Sequence, residues 1–211
     1  MISSEKLLLY AVTECKETRK MPLLEQVSEA IAGGVTTVQL REKNISDEEF
    51  LEEAIAVKKL CDRHNVPFIV NDNVDIAIKS GASGVHVGQS DMEAGNVRAL
   101  VGPDMIIGVS AQTVEQALLA QKHGADYLGV GAVFPTGSKD DAIEVPHETL
   151  KAICDAVDIP VIAIGGIGKG NVSELKGSGI VGIAVISAIF GSGDIMKAAE
   201  ELSEATSEAV K

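Results

Sequence analysis

Gln39, Arg41 and Lys43 fall at every second position of Gln39-Leu40-Arg41-Glu42-Lys43, directly after the apolar run Gly34-Val35-Thr36-Thr37-Val38. In an extended strand alternate side chains share a face, so the amide and both cations would point one way. That combination can grip a polyanion such as a diphosphate. A half-solvated strand edge shows the same alternation, so the surrounding elements must decide between the two.

Two carboxylates come next. Asp72 follows Phe68-Ile69-Val70-Asn71, and Asp91 follows Val87-Gly88-Gln89-Ser90. Each precedes a helical segment and could be a simple helix cap. As a pair beside Arg41 and Lys43 they suit Mg2+, which takes one or two carboxylates and completes its shell with phosphate oxygens and water. His64, His86, His123 and His147 lack the spacing of zinc ligands. His64 and His123 read as helix residues, and His86, inside a strand, as a satisfied core histidine.

Gly165-Gly166-Ile167-Gly168 is a glycine-rich turn whose backbone N–H groups could hold a phosphate at the start of a helical segment. A tight turn needing positive φ would use the same residues. It is not a dinucleotide fingerprint, because Asn171 stands where the third glycine would be. Ile186-Ser187, after the last apolar run, supplies a second set of N–H groups.

The elements that must position these residues alternate from end to end. Apolar runs cover 7–12, 36–40, 67–70, 84–87, 106–109, 127–130, 160–164 and 182–185, with helical segments between them. Ser46-Asp47-Glu48-Glu49 is a capping box opening a helix towards Cys61. Ile195, Ala198, Ala199 and Leu202 share one face of the last helix. Eight strands alternating with helices predict an α/β protein, a compact (β/α)8 TIM barrel with residues 1–211 as a single domain. A doubly wound open sheet is the alternative, since periodicity does not register closure.

In a barrel the carboxyl ends of all strands open on one mouth. Asn71-Asp72, Gln89-Ser90-Asp91, Ser110, Thr136-Gly137-Ser138-Lys139, the glycine turn and Ser187 all follow strand ends, so they would become neighbours. Strand-end logic therefore gives two anion sites. One is cationic and metal-assisted, from the second, third and fourth strands. The other is neutral and glycine-rich, from the last two, with Thr136 and Ser138 as hydroxyl donors.

Composition narrows the partners. A net charge of −13, from 18 Lys and Arg against 31 Asp and Glu, argues against nucleic acid, and an anionic substrate must be drawn to a local cationic cluster. Aromatics at 3% with no Trp disfavour stacking platforms for bases. The chain has no apolar stretch of membrane-spanning length, and its opening apolar run is too short for a signal-peptide core. Cys15, Cys61 and Cys154 are widely spaced and read as reduced thiols in a cytoplasm. Small-molecule substrates are the expected partners, without nucleic acid or membrane, and the sequence is compatible with a homo-oligomer.

Six ordered motifs resemble the thiamine-phosphate synthase (thiamine-phosphate pyrophosphorylase) family across almost the whole chain. They are Val38-Gln39-Leu40-Arg41-Glu42-Lys43, Asn71-Asp72, His86-Val87-Gly88-Gln89-Ser90-Asp91, the stretch from Gly131 to Lys139, Ala163-Ile164-Gly165-Gly166-Ile167, and Ile186-Ser187-Ala188-Ile189. The departures are mild: Glu14 stands where the family often has Asp, and Ser138 where Thr is common. The resemblance implies a transferase that joins hydroxymethylpyrimidine diphosphate to hydroxyethylthiazole phosphate and releases diphosphate. It implies that Gln39, Arg41, Lys43, Asn71, Ser110 and Lys139 bind the pyrimidine diphosphate, with Arg41, Lys43 and Lys139 catalytic. Asp72 and Asp91 would hold Mg2+. Thr136, Gly137, Ser138, Gly166, Ile186 and Ser187 would bind the thiazole phosphate. A related thiazole tautomerase, or a non-catalytic phosphate-binding barrel, are the alternatives; the intact diphosphate grip and carboxylate pair argue against both.

Overall fold

Eight short strands close on themselves: β1 (Leu9–Val12), β2 (Thr37–Leu40), β3 (Phe68–Asn71), β4 (Gly84–Val87), β5 (Ile106–Ala111), β6 (Tyr127–Val130), β7 (Val161–Ile164) and β8 (Gly182–Val185). The computed structural model describes residues 2–19, 21–88, 94–137 and 144–211. Each strand pairs in parallel with the next, and β8 returns to β1 with Leu9 opposite Ile183, Tyr10 opposite Ala184 and Ala11 opposite Val185. The sheet is a closed (β/α)8 barrel, not the open doubly wound alternative.

The surrounding helices are α1 (Leu23–Ala32), α2 (Asp47–Arg63), α3 (Val74–Ser80), α4 (Ala94–Val101), α5 (Val114–Lys122), α6 (His147–Ala156), α7 (Ser187–Phe190) and α8 (Ile195–Ala209). Side chains alternate along each strand between helix layer and barrel interior. Val38, Leu40, Val85, Val87, Leu128, Val130, Ile183 and Val185 join the core under the helices. Tyr10, Val12, Ile69, Tyr127, Ile162 and Ala184 form a second core inside the barrel, joined at its amino-terminal end by Ile2 and Leu7.

Local chemistry explains several boundaries. Ser46 caps α2, its hydroxyl accepting from the Glu49 N–H at 3.2 Å. The Glu49 carboxylate pairs with Lys16, so only half of the expected reciprocal box forms. His64 and His123 are the C-cap residues of α2 and α5, just past the helices expected to contain them. Leu7 ends a 3-10 turn, Ser4–Leu7, instead of opening β1. The larger departure follows β7, where a single 3-10 turn, Val172–Leu175, replaces the expected helix. Gly177 and Gly179, both at positive φ, redirect the chain at once, and α8 packs against the short turn as well as against α1. On α8, Ile195, Ala199 and Leu202 are buried as expected, while Ala198 is half-buried. No helix among the described residues is long and apolar enough to cross a membrane.

Candidate active site

The cationic half of the mouth starts where β2 stops. The strand ends at Leu40, so Gln39, Arg41 and Lys43 do not share one strand face as their alternation suggests. Gln39 is buried and turns into the barrel, where its amide nitrogen donates to the Tyr10 hydroxyl at 2.8 Å. Arg41 leaves the sheet with its N–H donated to the Thr13 hydroxyl at 3.0 Å, and its guanidinium reaches the Cys15 sulfur at 3.4 Å. Lys43 is exposed just beyond. The three predicted ligands thus sit at three depths, from interior to solvent.

Behind them lies a charged cluster that sequence reading did not anticipate. Arg19 pairs with Glu42 and Glu53, and Glu42 also accepts the Lys16 N–H at 2.9 Å. These contacts tie the β1–α1 connection to the end of β2 and to α2. Burial pushes the Glu42 carboxyl up to about 7, against the opposing pull of the Lys16 N–H and the Arg19 charge.

At the end of β3, Asn71 donates its amide to the Asp72 carboxylate at 2.5 Å. Asp72 itself adopts φ 61°, a left-handed backbone that Asp tolerates better than most residues. Its N–H donates to the His86 carbonyl on β4 at 2.8 Å. Asn73, not Asp72, caps α3, accepting from the Ile76 N–H at 3.0 Å. The capping alternative for Asp72 is therefore set aside, and its exposed carboxylate is a hard oxygen donor of the kind Mg2+ takes.

Inside the barrel a chain of side-chain hydrogen bonds crosses from β2 to β5. From Gln39 it passes through the Tyr10 and Tyr127 oxygens, 2.8 Å apart, to His86 Nδ1 at 3.0 Å, and from His86 Nε2 to the Ser110 hydroxyl at 3.0 Å. His86 is the satisfied interior histidine expected, yet it touches a predicted substrate ligand. Burial holds both tyrosine hydroxyls well above their ordinary range, so they stay protonated.

The neutral half is a cavity of about 610 Å³ lined by Thr136, Gly137, the turn from Gly165 to Gly168, Asn171, Ile186 and Ser187. All five described residues predicted for the thiazole phosphate, Thr136, Gly137, Gly166, Ile186 and Ser187, lie on its wall. Gly166 has φ 64°, and a Cβ there would lie 2.4 Å from the Pro135 carbonyl. The turn thus has the positive φ of the tight-turn reading and also lines the cavity. Asn171 pins the turn, accepting the Gly168 N–H at 2.8 Å and donating to the Gly166 carbonyl at 2.9 Å. It stood in the sequence as a missing glycine, and an Asn after a Gly-Gly turn is the signal that could have found it. The N–H groups of Ile189 and Phe190 close the α7 turn onto the Ile186 carbonyl, leaving those of Ser187 and Ala188 at its open end.

Asp91, with Gln89 and Ser90, and Ser138 and Lys139 lie outside the described residues. The described structure brings together Asn71, Asp72, His86 and Ser110 by direct hydrogen bonds across β3–β5, and separately gathers the glycine-half residues around one cavity.

A closed (β/α)8 barrel with a glycine-lined cavity after its last two strands has the form of the phosphate-binding barrels. Comparison with known proteins narrows that class. The sequence profile described as thiamine monophosphate synthase (TMP-TENI) matches residues 9–189. A thiamine-phosphate synthase of Clostridium tetani (strain Massachusetts / E88) is 54% identical over 194 residues, 92% of this chain and 93% of that protein. One from Methanobrevibacter smithii (strain ATCC 35061 / DSM 861 / OCM 144 / PS) is 48% identical over 92% of each. The solved thiamine phosphate pyrophosphorylase from Pyrococcus furiosus superposes with a TM-score of 0.91 at 42% identity, covering 99% of both chains. A 3-hexulose-6-phosphate synthase, 18% identical with a TM-score of 0.67, shares the fold alone. The chain belongs to the thiamine monophosphate synthase family, whose members are transferases.

Proposed function

We propose that the two halves of the mouth bind the two substrates of thiamine-phosphate synthesis, hydroxymethylpyrimidine diphosphate and hydroxyethylthiazole phosphate, and couple them with release of diphosphate. The observation that carries this is the division of the mouth into a side-chain half rich in charge and a glycine-rich cavity with no charged residue in its lining, in a chain more than half identical to named synthases. Arg41, Lys43 and Lys139 would hold the diphosphate as its bond to the pyrimidine methylene carbon breaks and charge grows on the departing oxygens. Asp72 and Asp91 would hold Mg2+, which supplies charge neutralisation to the diphosphate when bound. The glycine turn, Thr136, Gly137, Ser138 and Ser187 would hold the thiazole phosphate so that its ring nitrogen faces the electron-poor carbon. No proton need leave the attacking nitrogen, so positioning and electrostatics carry the reaction without a general base.

A coupling assay with both substrates, with and without Mg2+, tests the reading. Equal amounts of thiamine phosphate and diphosphate should appear, and only with the metal. Folded protein that binds thiazole phosphate yet forms neither product would defeat it.

A further inference from the structure

Glu42 stands between Arg41 and Lys43, yet its side chain turns away from both and inward. That side chain is 0% exposed, against 7% for Arg19 and 19% for Glu53. Arg19 grips Glu53 on α2 through both terminal guanidinium nitrogens, at 3.0 and 2.9 Å, and the second of them also pairs with Glu42. Glu42 accepts the Lys16 N–H as well. Among the described residues the ion pairs include Glu42 but neither Arg41 nor Lys43. The charge of the carboxylate is thus committed beneath the mouth, and the charges of its two neighbours are left for a ligand.

The backbone carrying those neighbours belongs to no strand or helix. β2 has ended at Leu40, and Asn44 already lies at φ 59°. The described hydrogen bonds of Arg41 and Glu42 run instead to the β1–α1 connection: to Thr13, Cys15, Lys16 and Arg19. Arg19 is the buried link from that connection to α2, a helix of 17 residues. Burying charges costs solvation, and apolar side chains of similar volume are often at least as stabilising. Stability is therefore a poor account of why three ionisable groups meet here.

We propose that Arg19 and Glu42 are positioning residues that fix the segment from Arg41 to Lys43 against α2, so that its cations meet a diphosphate already in place. A long cationic side chain on a loose segment loses backbone and rotamer freedom when it binds, whereas an anchored segment has lost much of it beforehand. Arg19 and Glu42 act from below, through Arg41, without touching the ligand themselves. This rests on the reading of the cationic half as the diphosphate site.

The experiment compares Arg19→Lys with the wild type, alone and combined with Arg41→Ala, at a pH above the Glu42 value of about 7. Lysine keeps the buried charge balance, but one ammonium does not reproduce the fork that holds two carboxylates. Glu53→Gln, at a partly exposed position, loosens the same fork from the other side and should act in the same direction. Each variant is checked for folding by thermal denaturation. Turnover gives KM for each substrate, and calorimetry with inorganic diphosphate and Mg2+ gives a Kd that needs no coupling. In Arg19→Lys the KM for pyrimidine diphosphate and the diphosphate Kd should both rise about tenfold, the scale of ordering one or two long side chains on binding. The KM for thiazole phosphate should not change. In Arg41→Ala the same substitution should add less than about threefold, because a residue acting through another loses its effect once that one is gone. Wild-type KM and Kd in the folded variants overturn the proposal, as does an equal rise in both KM values or an undiminished effect in Arg41→Ala. Wild-type protein that binds diphosphate without coupling defeats the proposed function alone, and the Kd series then judges the anchor; wild-type protein that binds no diphosphate overturns both.

Discussion

The two halves of the mouth are built by opposite means. On the β2–β4 side the groups offered to a ligand are side chains, and what holds them is a web of charges: Arg19 between Glu42 and Glu53, Lys16 on Glu49, Asn71 on Asp72. On the β7–β8 side the cavity wall carries no charged residue and is rich in glycine, its backbone shaped at Gly165 and Gly166 by positive φ and pinned by Asn171. Charge-built sites respond to salt and protons, whereas backbone-built sites respond to steric change. A diphosphate that gains charge during reaction needs the first kind of support, and a spectator phosphate that must only be held in place is served by the second.

Truncating one side chain on the charged side should give the largest effect. Arg41→Ala or Asp72→Ala should cut kcat roughly 10²–10³-fold, as removal of a group stabilising developing charge does, while thermal unfolding stays near wild type. Turnover like the wild type in both would erase the proposed division of labour. On the other side, Gly166→Ala should raise KM for thiazole phosphate and lower stability by about 2 kcal/mol, since it combines a left-handed backbone with a clash against the Pro135 carbonyl. An unchanged KM would show that the turn does not shape that site. Asn171→Ala should act in the same direction but more weakly, by about 1 kcal/mol for the lost pin, read as a lower denaturation midpoint.

The smallest effect should separate the halves by pH. Burial raises Glu42 from 4.5 to about 7, so the folded chain keeps this proton where the unfolded chain has lost it. Its contribution to stability is fully present below about 4.5 and is lost as pH rises through 7. Denaturant titrations from pH 5 to 8 should therefore show wild type losing stability relative to Glu42→Gln as pH rises. Parallel profiles for the two would place Glu42 outside this window. Gly166→Ala should leave the slope unaltered.

The strands were legible because a parallel barrel buries both faces of each one, and continuous apolar runs survive in any such sequence. Gly165-Gly166 was legible because few residues other than glycine accept that backbone. The end of β2 was misread since Arg41 and Lys43 continue a strand-like alternation that the backbone has already abandoned. The helix expected after Gly168 was misread because its apolar residues, Val172 and Leu175, are buried by one turn before Gly177 diverts the chain. Glu42 sat unnoticed among charged neighbours, its partner Arg19 being in a connection with no pattern of its own. The tyrosine–histidine chain was beyond reach for a different reason: Tyr10 and Tyr127 stand 117 positions apart, and only closure of the sheet makes them touch.

That closure has a consequence for how the molecule comes into being. The pairing of β1 with β8 joins the earliest strand made to the last. A ribosome releases Leu9–Val12 long before Gly182–Val185 exists, so one flank of the first strand waits with its backbone groups unmatched throughout synthesis. Open edges of this kind invite pairing with other chains. The growing polypeptide therefore carries an open strand edge until β8 is made, and a lesion in β8 should be felt first as poor yield of folded protein, ahead of any change in the chemistry at the mouth.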